Sequence, residues 1–553
     1  MNMKTTCAAI AAAFCAGSAF AEFSIVVDPK AKPIHDTRSS TCGPVVGYAG
    51  CAMQMGPGVS DSYFFDEVKY DTAKAMKESG AWFQRMWSAN QWFAARNQKG
   101  KDGKPMSNPD AAFKFWKQNG FKILMTIECW CDANKQEIYD LANYIVSNKY
   151  QSCIAGFELG NETYFHKGYA KLAPRWAEVV RELVKIWPGV KLGINVAELF
   201  ELNPDLTQVR SRMLAEGTIK RDTYFAAADF NRYSAQFIMA MSKEKVLDKI
   251  THVIWHAYGA ESPYSCSYYG MKRFRGFAEA FPELKGKQLW LSEIRPRSDE
   301  DNNCQRYFRE TLIMGHYAVM MLAQPDVDGY NHHQFWAIGG GVFQSDGRTY
   351  GDQWQDGSGF YPDFRSPFNR PRWDLNHLGV SYRIITEGMK QCPIVVAYGT
   401  SKDPAGKDEN SFYTSAKFTD QVYARRRAIK EGKRGSAVPK VDGEVEWVVT
   451  TSGGMYCIIM VNSKQTAEKF TFTVKGRQLA APNYRTLSCP EKFLDCRDIP
   501  GEGHPWKQLS WEDSQCGYTT IPMERYEGMK PKADVLELEI APNTVQTVTI
   551  AVR

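Results

Sequence analysis

"IAGFELGNETYF", residues 154–165, is an apolar run that ends in a glycine, an amide and a carboxylate: Gly160, Asn161 and Glu162. A short, nearly continuous apolar run of this kind reads as a strand buried on both faces. A buried strand that stops at Asn-Glu has either met a turn that happens to be polar, or delivers an acid to a site at its C-terminal end. The segments on either side bear on the choice.

Strand-like and helix-like segments alternate from about residue 40 to 390. "VVGYAGCAM" (45–53), "AWFQRMWSA" (81–89), "FKILMTIECW" (121–130), "VKLGINVAE" (190–198), "ITHVIWHAYG" (250–259), "QLWLSEI" (288–294) and "VDGYNHHQFWAI" (327–338) read as strands, like the opening stretch. Helical spacing runs through 62–80, 109–120, 135–148, 169–187, 227–247, 272–281 and 303–324. Strands alternating with helices are βα units, and eight of them predict a (β/α)8 TIM barrel over 41–390. An open doubly wound sheet would usually show a glycine-rich phosphate turn after its first strand. "GYAGCAMQMGPG" (47–58) does not give G-x-G-x-x-G.

Beyond 390 the periodicity changes to two. "CPIVVAYGTS", "EVEWVVTTSGGMYCIIMVNS", "KFTFTVKG" and "VLELEIAPNTVQTVTIAV" alternate between turn signals and predict an antiparallel β-sandwich over 391–553. "EFSIVVD" (22–28), within an N-terminal segment 22–40, is strand-like and is expected to join that sandwich. Residues 401–440 are charged and glycine-rich, and read as a long exposed loop.

Lys4 followed by "CAAIAAAFCAGSAFA" (7–21) has the pattern of a signal peptide cleaved after Ala21, so a periplasmic or secreted location is expected. No later stretch offers about 18 uninterrupted apolar residues, so no membrane span is expected. Fourteen cysteines include Cys7 and Cys15 of that leader, which leaves an even set of twelve and suggests disulfides. Cys489, Cys496 and Cys516 crowd one region and are the best candidates. "CWC" (129–131) and "CPEKFLDC" (489–496) lack the paired C-x2-C spacing of zinc sites. The 68 basic and 62 acidic residues include no basic block, so nothing favours nucleic acid as a partner.

In a (β/α)8 barrel the site lies at the C-terminal ends of the strands. Those ends carry Arg85 on the second barrel strand, Glu128 on the third, Asn161 and Glu162 on the fourth, and Glu198 on the fifth. The sixth carries His256 and Tyr258, the seventh Glu293, and the eighth His332, His333 and Trp336. Two glutamates on opposite sides of one mouth suit glycoside hydrolysis. One carboxyl donates a proton to the leaving oxygen and the other attacks the anomeric carbon. Their proton affinities must differ, and Arg85 and Tyr258 beside Glu293 would hold that carboxylate ionised. Glu158 shares the strand parity of Glu162 and reads as a buried structural acid. His332 and His333 are adjacent, so they point to opposite faces and do not suit one metal ion. No metal or cofactor is implied.

These residues resemble the retaining glycoside hydrolases of clan A. "GNE" (160–162) is similar to their acid/base motif, "WLSEI" (290–294) to their nucleophile strand, and "QRMW" (84–87) to their strand-two arginine segment. "WHAYG" (255–259) resembles their strand-six His-x-Tyr, and "FWAIG" (335–339) their strand-eight tryptophan. The resemblance covers scattered motifs between about 45 and 340. "FELGNE" is most like families 39 and 79, and the trailing sandwich is similar to that of families 30, 39, 51 and 79. The resemblance implies that Glu162 is the acid/base, Glu293 the nucleophile and Asn161 a contact to the sugar 2-hydroxyl. Arg85, His256, Tyr258, Trp336, Glu128 and His333 would then line the substrate site. The expected partner is a carbohydrate, with an anionic glycan permitted by the mild basic balance. Oligomeric state stays open. The competing expectations are a non-catalytic glycan-binding protein on a barrel scaffold and a metal-dependent hydrolase on the same barrel.

Overall fold

The computed structural model describes residues 22–40, 47–53, 83–99, 107–163, 168–196, 229–258, 283–295, 308–332, 377–406, 431–441, 443–489 and 534–552, with shorter pieces between them. The chain opens with β1 (Phe23–Val27) and β2 (His35–Asp36) and then enters a barrel. The barrel strands are β3 (Gly47–Met53), β4 (Phe83–Met86), β5 (Lys122–Ile127), β6 (Ile154–Leu159), β7 (Leu192–Val196), β8 (His252–Tyr258), β9 (Gln288–Arg295) and β10 (Val327–His332). Every neighbouring pair is parallel, and β10 pairs with β3, so the barrel of eight closes. The helices are α1 (Ala89–Ala94), α2 (Pro109–Asn119), α3 (Asp132–Ser147), α4 (Ala173–Ile186), α5 (Asp229–Lys243), α6 (Phe308–Leu322) and α7 (His377–Gln391). Of the helices expected at 62–80 and 272–281, residues 62–79 and 272–280 lie outside the described residues.

Local chemistry sets several boundaries. Asn108 caps α2 by accepting from the Ala111 N–H at 3.2 Å, Pro109 stands in its first turn, and Gly120 ends it at φ +73°. The strand expected over 81–89 stops at Met86, because Ser88 takes a left-handed φ of +51° and turns the chain into α1. Inside the barrel, Trp290 packs with Phe83, Leu124, Ala155 and Ile254. A Cβ on Gly156 would sit 2.4 Å from the Trp290 ring, and one on Gly193 would sit 2.9 Å from it. Those two glycines make room for the indole. On the same ring His252 stacks at 3.7 Å, and Asp328 accepts from Trp290 Nε1 at 2.9 Å.

A short hairpin of β11 (Phe368–Asn369) and β12 (Asp374–Leu375) leads toward α7 and the second domain. Its remaining strands are β13 (Ile394–Thr400), β14 (Val445–Thr451), β15 (Met455–Asn462), β16 (Glu468–Val474), β17 (Asn483–Ser488), β18 (Gly517–Ile521), β19 (Val535–Ile540) and β20 (Thr544–Ala551). They form a seven-stranded sheet, β18-β17-β20-β15-β14-β13-β2, facing a three-stranded sheet, β1-β16-β19. The core between the sheets includes Ile25, Trp447, Ile458, Phe470, Phe472 and Leu538. β1 joins this domain, and it pairs in parallel with β16, unlike the antiparallel pairs around it.

The seven-stranded sheet also packs on α6 and α7. Missing side chains allow the close approach: a Cβ on Gly315 would lie 2.9 Å from Val461, and one on Gly388 would lie 2.8 Å from Cys457 Sγ. His316 on α6 is buried in this seam, with Glu446 and Ser463 each 2.9 Å from its ring nitrogens. No helix among the described residues is long and apolar enough to cross a membrane. Cys129, Cys131, Cys153, Cys392 and Cys457 carry free thiols. Cys496 and Cys516, the expected partners of Cys489, lie outside the described residues.

Candidate active site

Alternation along parallel strands lifts columns of side chains up the barrel interior. On β4, Phe83 lies in the barrel core and Arg85 stands above it. On β5 the column is Leu124, Thr126 and then Glu128. On β6, Gly156 gives way to Glu158. These columns bring one buried cation against a set of carboxylates. The Arg85 guanidinium donates from Nε and Nη2 to the two oxygens of Glu158, at 2.7 and 2.9 Å. It also donates from Nη1 to Glu293 Oε1 at 2.7 Å and from Nη2 to Asn161 Oδ1 at 2.6 Å. Arg85 is 2% exposed and Glu158 is fully buried, so this is a fork-to-fork ion pair out of water.

Glu158 accepts further bonds from Thr126 Oγ1 at 3.1 Å and Asn195 Nδ2 at 2.9 Å. Asn195 Nδ2 also donates to the Gly160 carbonyl at 2.8 Å, which ties β7 to the turn that ends β6. Burial alone would raise the Glu158 carboxyl. The Arg85 charge and the hydrogen bonds from His256 and Arg85 outweigh it and hold the group well below the usual carboxylate range.

His256 stands at the centre of the carboxylates. Its Nδ1 is 3.2 Å from Glu162 Oε1 and 3.5 Å from Glu293 Oε2. Its Nε2 is 2.9 Å from Ser292 Oγ and 3.4 Å from Glu158 Oε1. Burial lowers its proton affinity. The charge of Glu293 and hydrogen bonds to Glu158 and Glu162 overcome that and raise it to about 9, against the opposing charge of Arg85. The surrounding carboxylates thus favour its protonated form. A register shift in the β8–β9 pairing, between Ile254 and His256, lets two consecutive residues, Ser292 and Glu293, both approach it.

The turn after β6 presents the second carboxylate. Gly160 has φ +79°, and a Cβ there would meet Tyr169 Oη at 2.5 Å. Glu162 itself takes φ +44°, a left-handed conformation that costs a non-glycine residue about 1 kcal/mol or more. The bend is held by Glu128, whose Oε1 accepts from the Asn161 N–H at 3.1 Å. The Glu128 backbone is itself clamped by the buried Asn90 side chain, at 2.8 Å from its N–H and 3.2 Å from its C=O. Burial pushes the Glu128 carboxyl up to about 7. The Asn161 N–H opposes this, the nearby Glu158 charge adds to it, and Arg85 lowers it.

One side-chain atom each of Glu162, His256 and Glu293 lies within 4.8 Å of the other two. Glu293 is 5% exposed, and the Glu162 side chain, about a quarter exposed, opens to the mouth. Such a trio could also be read as metal ligands.

Of the residues singled out by sequence, Arg85, Glu128, Asn161, Glu162, His256 and Glu293 thus converge on one cleft. Tyr258 lies in β8 opposite Arg295, with its side chain outside the described set. His333, Trp336 and Glu198 lie outside the described residues. Thr126, Asn195 and Ser292 went unremarked in the sequence, although Thr126 and Glu128 share a parity that could have linked them.

No family model matches the sequence, and no curated protein sequence matches it. Solved structures match its fold. The chain is similar to the α-L-arabinofuranosidase of Thermotoga maritima, at 13% identity and a TM-score of 0.54, over 96% of this chain and 100% of that one. It is similar also to the family 51 α-L-arabinofuranosidase of Thermotoga petrophila, at 13% and 0.53, over 95% and 99%. A glucosidase from Croceicoccus marinus matches at 12% and 0.50, over 96% and 99%. The (β/α)8 barrel followed by a β-sandwich is therefore the fold this chain shares with them along almost its whole length.

Proposed function

We propose that the protein is an exported retaining glycoside hydrolase of the clan A type, acting on a carbohydrate by double displacement. The observation that carries the reading is the approach of the Glu162 and Glu293 carboxylates to within 4.8 Å. Carboxyl groups of retaining enzymes are about 5–5.5 Å apart, against about 6.5–9.5 Å where a water must fit between them and the sugar.

Glu293 is the nucleophile. Two buried cations, Arg85 and the His256 imidazolium, face it and favour its anionic form. It attacks the anomeric carbon as Glu162, at the open side of the cleft, protonates the departing oxygen. In the second step Glu162 takes a proton from water, which displaces Glu293 from the glycosyl ester. Asn161, held by Arg85 on one side and Glu128 on the other, presents its amide to the sugar. The fold likeness to arabinofuranosidases and a glucosidase agrees with this class and leaves the sugar open. Export rests on the signal-like residues 1–21.

The test is labelling by a panel of 2-fluoro glycosides followed by peptide mass spectrometry. The expected adduct is on Glu293, and Glu293→Gln should nearly abolish turnover while the far-ultraviolet circular dichroism stays unchanged. An adduct elsewhere, or residual turnover within about tenfold of the parent, refutes the assignment. N-terminal sequencing of exported protein should begin at Glu22.

A further inference from the structure

Among the described residues three large hydrophobic side chains are strongly exposed: Val26, Trp87 and Trp130. Single exposed apolar residues are ordinary, and Val26 lies on β1 of the sandwich, away from the barrel. The two tryptophans are different in placement. Each lies just past the C-terminal end of one of two adjacent barrel strands, Trp87 directly after β4 and Trp130 three residues after β5. β4 and β5 are hydrogen-bonded neighbours in register, with Arg85 opposite Leu124. Both tryptophans therefore leave the barrel at the ends of paired strands, on the same sector of the mouth.

Trp130 is also rigidly mounted while 43% exposed. Its N–H donates to Asn134 Oδ1 at 3.1 Å, and its carbonyl accepts from Arg175 Nη1 at 2.7 Å. Its ring meets those of His166 and Tyr169 perpendicularly, at 4.9 and 5.1 Å. A bulky apolar ring held still in water loses little freedom when a ligand settles on it. A flat indole suits the C–H face of a sugar ring.

We propose that Trp87 and Trp130 form an aromatic platform on the β4–β5 side of the mouth that binds further sugar units of the substrate, so that the protein selects an oligosaccharide chain over a single glycosyl unit. The proposal rests on the glycosidase reading for its substrate class and not on the catalytic roles.

The first arm is affinity electrophoresis of Glu293→Gln protein in gels holding soluble xylan, arabinan, β-glucan, pectin or chondroitin sulfate. The expected result is retardation in at least one gel. Trp87→Ala and Trp130→Ala should each weaken that retardation at least fivefold in apparent affinity, and Trp130→Phe should restore it. No retardation in any gel, or alanine variants that migrate like their parent, overturns the proposal. Thermal unfolding of each variant shows whether it is folded, and the phenylalanine variant keeps the comparison meaningful if Trp130→Ala is not. The second arm compares kcat/KM for a tetrasaccharide and an aryl glycoside of the same sugar. The ratio should fall at least tenfold in the alanine variants, and an unchanged ratio overturns the proposal while leaving the glycosidase reading in place. Platform-dependent retardation in a protein that no 2-fluoro glycoside labels would instead remove the catalytic reading and keep the platform.

Discussion

Replacement of His256 by glutamine removes the one cation among the carboxylates whose charge depends on pH near neutrality. Groups facing the ring are Glu158, Glu162, Glu293 and Ser292, with Arg85 nearby, and the carboxylates raise its proton affinity from the ordinary 6.5 to about 9. Each tenfold change in proton affinity is worth about 1.4 kcal/mol, so the charged ring stabilises the fold by on the order of 3 kcal/mol. The sign follows from the folded value lying above the unfolded one. The stabilisation is complete below about pH 6.5 and is lost as pH rises through about 9. In His256→Gln this component is missing at every pH. The gap in melting temperature between parent and variant should therefore be widest near pH 6 and narrow steadily toward pH 9.5. At about 2 °C per kcal/mol for a domain of this size, the narrowing is about 6 °C. Near-ultraviolet circular dichroism on heating, repeated across that pH range, measures it. A gap that stays constant would mean a neutral imidazole in the native cleft, and the electrostatic account of Glu293 would fall with it.

Three further outcomes follow from the same geometry. Glu158→Gln takes the bidentate carboxylate from the buried Arg85 and leaves it paired to Glu293, and should cost up to about 3 kcal/mol, read as a lowered denaturation midpoint. Glu128→Gln keeps an oxygen for the Asn161 N–H but cannot ionise. The parent carboxyl binds its proton more tightly folded than unfolded, so the parent loses stability as pH rises from about 4.5 to about 7; the variant should gain on it by up to about 3 kcal/mol at pH 8 and not at pH 4, measured by urea unfolding at both values. Gly156→Ala should lower the melting temperature clearly, since its methyl would meet Trp290 at 2.4 Å and overpacking costs about 1–3 kcal/mol.

Most of the described element types and their order were legible because periodicity is a local property, although α1 and α7 are not among the helices expected from the sequence. The β6 run, the cap and stop of α2, and the inward-facing β1 residues all follow from side chains a few positions apart. The ends of strands were less so. Ser88 could have continued β4, and it turns the chain only because the first residues of α1 have a site to pack into. The role of Glu158 was half visible: parity aims it inward, but parity does not say that Arg85 would choose it as the bidentate partner over Glu293.

By itself, the order of residues determined that strands would alternate with helices, that a period-two region would follow, and that Arg85, Glu128, Glu162, His256 and Glu293 would stand at strand ends. Only the closed tertiary structure decided which of these meet. Arg85 and Glu293 are 2.7 Å apart because β10 returns to β3 and the barrel shuts. Ser292 and Glu293 both reach His256 because the β8–β9 register slips, and β1 finds β16 in parallel across the length of the chain. Short-range patterning encodes which face of an element is apolar. Distances between elements depend on closure, register and bulges, which are properties of the whole packed sheet and are written in no single stretch of it.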